Sequence, residues 1–501
     1  MILHIDGDIN RYYVQTLCMI FFPGASFPDD EEPGDDVPEL SLTLTKIENG
    51  YSAHTFVKLG NNSAEYSRET LIRPDLTQER CKKLAVGASV AGALGKLIEY
   101  RPTWGVLTGV RPTKVATEML ATGMSKTRVK RQLMSDYLLY AKKANLATEV
   151  ALNEQKIIET PSSRDCSIYI SIPFCPTRCQ YCSFVCYTSN KLLSLIPEYI
   201  ERLIGDIKEL FEAIDRNGLN VKTVYIGGGT PSILEPDQLR VLLDAIASGL
   251  AGRAIEEFTC ESGRPDTITK EKLQVLKEYG VGRISVNPQT LCEDVLRGIG
   301  RSHTVNDFYN AYNIAREVGI GAINTDLIVG LPGDNFQRFA ASMDGIIALE
   351  PENITVHTFC VKRSAAWRQD NVYSLRGGDA GKCVDYSQIR SREVGYVPYY
   401  MYRQKNTVGN FENVGFSIPG YEGRYNIYMM EEVHSILSAG AGAVTKLVHL
   451  ASDSSKKTVI KRIFNPKYPY EYLSRCEDSG IISGIDKFFL ENPITDSVDE
   501  N

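Results

Sequence analysis

Six short β-rich runs alternate with helical stretches between residues 165 and 360, and that alternation constrains this chain more than any other feature. The runs read CSIYISIPF (166–174), VKTVYIGG (221–228), EEFTCES (256–262), GRISVN (282–287), AINTDLIVGL (322–331) and NITVHTF (353–359). Segments between them, such as IPEYIERLIGDIKELFEAI and PDQLRVLLDAIASGL, repeat apolar residues every three or four positions, the period of a helix with one buried face. Strands separated by helices are parallel and joined by crossovers. Residues 161–360 are therefore expected to form an α/β core, either a (β/α)6 partial barrel or a doubly wound sheet. In barrels of this kind the chemistry sits at the carboxyl ends of the strands.

The flanks read differently. Residues 1–160 are expected to form an N-terminal α+β and helical domain: LSLTLTKIENGYSAHTFVKL (40–59) alternates apolar and polar residues around an Asn-Gly turn, a hairpin pattern, and helical periodicity follows from Gln78. Residues 361–501 are expected to form a mostly helical domain that covers the substrate. At 501 residues the chain has room for two or three cores. Its start, MILHIDGDINRYY, lacks the basic opening of a signal peptide, and no stretch reaches the ~20 apolar residues of a membrane helix. A cytoplasmic protein without membrane insertion is expected. The net charge of −7, with no long Lys/Arg block, argues against nucleic-acid binding.

Three of the twelve cysteines crowd into IPFCPTRCQYCSF (172–184), just past the first run. Cys175, Cys179 and Cys182 cannot all pair with one another, and reduced cytoplasmic cysteines this close more often hold metal. Zinc would need a fourth ligand, for which Cys186 is the nearest candidate. Buried reduced thiols are the plainest alternative. A [4Fe–4S] cluster held by three thiolates leaves one iron open, and the spacing favours it. With six histidines, the chain has little material for a His-rich metal site. At the end of the second run, YIGGGTPS (225–232), glycines let backbone approach a ligand closely.

Cys-x3-Cys-x2-Cys after the first strand of a six-strand parallel core resembles the signature of the radical S-adenosylmethionine family. The resemblance implies that Cys175, Cys179 and Cys182 are the catalytic cluster ligands and that the open iron chelates S-adenosylmethionine. It also implies cofactor contacts from Tyr181, beside the adenine, and from Gly228, Gly229 and Thr230, along the methionine.

Further motifs resemble the oxygen-independent coproporphyrinogen III oxidases (dehydrogenases). Tyr169 stands in YISIPFC, Glu261 in CESGRPD, Gln289 and Arg301 in PQTLCEDVLRGIGRSHT, and Asp326 in NTDLIVGLPG. The resemblance makes all five cofactor-binding residues. WGVLTGVRPTK and YRQKNTVGNFENVGF are similar to the long bacterial branch. Two positions depart from the best-known oxidases: Ser171 replaces a His, and Phe184 a fourth cysteine. CQYCSF is closer to the sister haem chaperones. The expected activity is oxidative decarboxylation of coproporphyrinogen III to protoporphyrinogen IX, with a flavodoxin or ferredoxin as electron donor. A haem chaperone and a tRNA-modifying radical enzyme are the alternatives. Arg403 and Lys405 are candidate cations for the substrate's propionates.

Overall fold

The computed structural model describes residues 1–28, 34, 36–182, 184–360, 378–404, 407–451, 458–475 and 480–494. Where three regions were expected, the chain packs as two compact units. One comprises Met1–Asn153 with Met401–Glu412 and the described part of 366–381; the other takes the remaining described residues.

The first unit holds a four-stranded sheet, β1 (Ile2–Asp6), β2 (Glu39–Ile47), β3 (Gly50–Leu59) and β4 (Asn62–Leu71), in that spatial order. β1 runs parallel to β2, and the others form antiparallel hairpins; the first turns at Glu48-Asn49, one residue before the Asn-Gly turn that the pattern predicts, with Gly50 already in β3 opposite Ile47. The helix Gln78–Ile98 packs on β3 and β4 through a run of small residues, capped by the Thr77 hydroxyl on Arg80 N–H. A buried hydroxyl pair, Thr55 Oγ1 and Ser89 Oγ at 2.7 Å, ties helix to sheet.

All six runs of the central region are strands: β5 (Asp165–Ile172), β6 (Asn220–Gly228), β7 (Glu257–Cys260), β8 (Arg283–Ser285), β9 (Ala322–Val329) and β10 (Asn353–Thr358). Each is parallel to the next. Their order in the sheet is their order in the chain, with no reversal. That decides between the two sequence readings. A doubly wound sheet reverses order at a switch point, whereas unreversed right-handed crossovers put every helix on one face, the winding of a barrel. The first crossover helix, Ile196–Arg216, buries Tyr199, Ile200, Leu203, Ile207, Leu210, Phe211 and Ile214 along one stripe. Each such side chain contributes about 1.5–3 kcal/mol relative to exposure.

The C-terminal region departs from expectation. It supplies four described helices but also five strands: β11 (Val397–Arg403), β12 (Glu412–Ser417), β13 (Ser435–Ala439), β14 (Val444–His449) and β15 (Val459–Phe464). The full sheet reads β11-β12-β10-β9-β8-β7-β6-β5-β13-β14-β15. β12 pairs antiparallel to β10 and β13 parallel to β5, so these strands close off both edges of the six-strand core, edges that would otherwise expose unpaired main chain. No helix among the described residues is long and apolar enough to cross a membrane.

Candidate functional site

β5 ends at Ile172, and the chain turns into the cysteine loop. Main chain closes the base of the loop: Cys175 N–H donates to Tyr187 O at 3.0 Å and Tyr187 N–H to Pro173 O at 2.9 Å. Cys182 N–H reaches Cys179 O at 3.2 Å, and Gln180 N–H reaches Ile299 O at 3.1 Å, tying the loop to the segment after β8. Cys175 and Cys179 are buried and Cys182 is half-buried.

The glycines after β6 lie against this loop. Gly229 N–H donates to Ile172 O and Thr230 N–H to Phe174 O, both at 2.8 Å, while the Thr230 hydroxyl stands 3.3 Å from Cys175 Sγ. A Cβ on Gly229 would meet Phe174 O at 2.5 Å, so only glycine lets the two backbones touch. A hydrogen bond with Cys186 chiefly, then Thr230 and the Arg264 charge, hold Cys175 below the ordinary thiol range against burial. Thiolate is the form that binds iron.

The ends of the other strands bring together the residues predicted from sequence. Glu261 follows β7 directly and accepts from Tyr225 Oη–H at 2.5 Å and from Gly228 N–H. Burial pushes its carboxyl up to about 7; the Tyr225 bond opposes and the nearby Asp326 adds. Asp326 in β9 accepts from Asn287 Nδ2 at 2.8 Å and Asn324 Nδ2 at 2.7 Å, with His357 Nε2 of β10 at 3.5 Å. Arg301 spends Nη2 on the carbonyls of Asn287 (3.0 Å) and Gly263 (3.4 Å). Gln289 bridges to β9: its N–H donates to Asp326 O and its carbonyl accepts from Ile328 N–H. This holds Gln289 at φ 70°, in the left-handed region that disfavours a side chain. Tyr169 stacks on Tyr225 (ring centroids 6.1 Å), which stacks on Tyr425 (4.3 Å). Tyr181 lies beside Cys179 and Arg301; burial raises its phenol far above the usual range.

Several atoms here have no partner. Gln289 Oε1, Arg301 Nε and both ring nitrogens of His303 are buried and unbonded. An unpaired buried polar atom costs about 1–3 kcal/mol, so an acceptor and a donor left open together mark a place for a ligand. A zwitterionic amino-acid group, as S-adenosylmethionine carries, would answer both. Three thiols on one pinned loop, with Tyr181 of that loop beside Arg301, make a donor set that fits the cluster and its cofactor.

The two substrate cations fare otherwise. Arg403 is 4% exposed: its main-chain N–H donates to Val110 O, its Nη1 to Leu107 O at 2.5 Å, and its guanidinium lies over the Trp104 ring. Burial pushes it down to about 10. It pins the 104–110 loop from a buried position with only its Nε left unbonded, where the sequence reading has it as a cation for the substrate. Lys405 lies outside the described residues. Sequence reasoning also missed Asn287, His357, Tyr225, Tyr425 and Arg264, and weighed Cys186 only as a fourth zinc ligand. Asn287 sits two residues from Gln289 and Tyr225 three from Gly228; Tyr225 pairs with Thr259, two residues before Glu261, so strand alternation could have put the two side chains on one face.

A family model described as the radical SAM superfamily matches residues 169–346. The oxygen-independent coproporphyrinogen-III oxidase-like protein HemZ of Bacillus subtilis is 36% identical over 485 residues, 94% of this chain and 94% of its own. The heme chaperone HemW of the same organism is 31% identical over 61% of this chain and 77% of its own length. Among solved structures, coproporphyrinogen III oxidase (HemN) from Escherichia coli aligns with a TM-score of 0.49 at 20% identity, covering 66% of this chain and 73% of that one.

Proposed function

Because the chain belongs to the radical SAM superfamily, within the oxygen-independent coproporphyrinogen III oxidase-like group, we propose that it oxidatively decarboxylates two propionates of coproporphyrinogen III to vinyl groups. A [4Fe–4S] cluster and S-adenosylmethionine are its cofactors. When bound, they supply a carbon radical able to take hydrogen from a propionate β-carbon. The observation that carries this reading is coverage: likeness to the oxidase-like relative spans both units, whereas likeness to the chaperone spans 61% of the chain. The segments most similar to the long bacterial branch meet inside the first unit, where Trp104 Nε1–H donates to Glu412 Oε2 at 2.7 Å and Arg403 grips Leu107.

In this reading Cys175, Cys179 and Cys182 hold the cluster on a loop pinned at both ends. Glu261 and Asp326 offer acceptors to an ammonium, and Arg301 a donor to a carboxylate, at neighbouring strand ends. Tyr225 keeps Glu261 oriented by its short hydrogen bond. The tyrosine stack excludes water from the side of Glu261 that it covers. A one-electron carrier of the flavodoxin or ferredoxin class delivers the reducing electron.

The chaperone reading draws on Phe184, which stands where the best-known oxidases have a fourth cysteine. Phe184 is 68% exposed, so the position belongs to the loop surface. Anaerobically reconstituted protein given coproporphyrinogen III, S-adenosylmethionine and dithionite is expected to form divinyl product in step with 5′-deoxyadenosine. Cys179→Ala is expected to lose the cluster's roughly four irons and all product. Tight haem binding with a full cluster and no vinyl product would make the chaperone reading the right one.

A further inference from the structure

Arg264 follows β7 in the stretch CESGRPD, yet it is only 4% exposed. Its Nη1 donates to Cys179 Sγ at 3.4 Å and to Thr177 O at 3.3 Å. Its Nη2 donates to Thr177 Oγ1 at 2.9 Å, Ser302 Oγ at 2.6 Å and Asp266 Oδ2 at 2.9 Å, and its Nε to Asp266 Oδ1 at 3.0 Å. Ser302 in turn donates to Asp266 Oδ2 at 2.8 Å. The fork of the guanidinium is therefore fully committed, and the end that remains against the cysteine loop points an N–H at one sulfur.

We propose that Arg264 is a positioning residue that acts through Cys179: it donates to this thiolate of the cluster and raises the cluster's reduction potential. The proposal rests on the reading that the three cysteines hold a [4Fe–4S] cluster. Hydrogen bonds to cluster sulfurs and nearby charge both set such potentials. Reduction adds one electron, supplied by a low-potential carrier or by dithionite, and no bond forms or breaks. The added negative charge lies nearest the cationic end of the Arg264–Asp266 pair, and the compensating carboxylate lies on its far side. Guanidinium suits this role better than ammonium, because one planar group can hold a carboxylate, a hydroxyl and a sulfur at once.

The test is an EPR-monitored redox titration of anaerobically reconstituted protein, with iron and sulfide counted in every sample. Arg264→Gln removes the charge and is expected to lower the midpoint potential at unchanged iron content. Asp266→Asn removes the counter-charge and is expected to raise it. Arg240→Gln, which breaks an exposed pair with Glu278, serves as the control and is expected to leave the potential in place. A purely structural role for Arg264 gives no reason for shifts of opposite sign. If Arg264→Gln fails to take up iron, Asp266→Asn decides alone: a rise supports the proposal, and no change or a fall overturns it. Wild-type protein that holds no cluster would overturn the underlying reading, and iron counting separates that result from a clustered protein whose potential ignores both substitutions, which overturns the proposal alone.

Discussion

Two regions of this molecule bury charge, and they do so in opposite ways. In the first unit Glu412, 1% exposed, accepts from Trp104 Nε1 at 2.7 Å and from Lys143 Nζ at 2.5 Å, and Arg403 spends its main-chain N–H and Nη1 on neighbouring carbonyls. At the strand ends of the second unit Glu261, Asn287, Arg301 and Asp326 are also held by hydrogen bonds, yet Gln289 Oε1 and Arg301 Nε are left over. In the first cluster both carboxylate oxygens are engaged and the atom left over is a lone donor, Arg403 Nε, so the cluster serves the fold. A mismatched one bears an energetic cost in the empty protein that a ligand can remove. Burial alone does not tell the two apart; an acceptor and a donor left open together do.

The largest effect expected from breaking this contrast is on stability, at the matched cluster. Glu412→Gln keeps the shape but leaves Lys143 and Arg403 without their carboxylate. Removing one partner of a buried pair costs about 3–5 kcal/mol. Urea unfolding should show that loss, while S-adenosylmethionine affinity of the folded fraction stays put. Weakened cofactor binding with unchanged unfolding would mean the two clusters are not functionally separate.

The same contrast explains how much could be read in advance. All six core strands were legible, because apolar runs and helical periods alternate there without interruption. β12 was not. Its sequence, ENVGFS, opens with two polar residues that a strand of the core should not contain, yet all six residues are buried. Glu412 answers to Trp104 and Lys143, far away in sequence, and Asn413 Oδ1 accepts Thr358 N–H at 2.7 Å. Such partners cannot be seen in a local window. β13, SILSA, hid likewise: it is buried on both faces, so it shows no alternation. At the site, Glu261 and Asp326 stand in stretches whose neighbours announce a strand end. Arg264 sits in RPD, which reads as solvated loop, and only three-dimensional packing reveals its burial. Arg403 hid in the same way: a charged residue in a polar stretch reads as a cation open to the substrate's propionates, and it lies buried instead.

A second prediction concerns Glu261. Its folded-state pKa is raised to about 7 from the model-compound value of 4.5, chiefly by burial. Below the unfolded value both states are protonated and the group takes nothing from stability. Between 4.5 and about 7 the folded state binds the extra proton, so stability of the cofactor-free protein falls as pH rises across that window. At about 1.4 kcal/mol per unit, the fall is on the order of 3 kcal/mol. Denaturation at a series of pH values should show this slope, and Glu261→Gln should flatten it. A slope that survives the substitution would assign it to another group.

The smallest effect is the most direct probe of the mismatch. Gln289 combines φ 70° with a buried, unbonded Oε1. A side chain in the left-handed region costs about 1–2 kcal/mol, and the open acceptor adds to that in the empty protein. Gln289→Gly removes both costs. Against this, glycine loses about 0.5–1 kcal/mol through the freedom of the unfolded chain. The lost packing of the side chain's methylenes subtracts further. The balance leaves the cofactor-free variant more stable by about 1 kcal/mol or somewhat less, read as a small rise in melting temperature. Affinity for S-adenosylmethionine should move the other way, because the acceptor that Gln289 keeps open is gone. Opposite signs in the two measurements are what a strained binding residue requires. Were stability to fall along with affinity, the left-handed backbone at 289 would be an unstrained part of the β8–β9 bridge, and the contrast between the two buried clusters would be lost, because the unbonded Arg301 Nε only matches the unbonded Arg403 Nε.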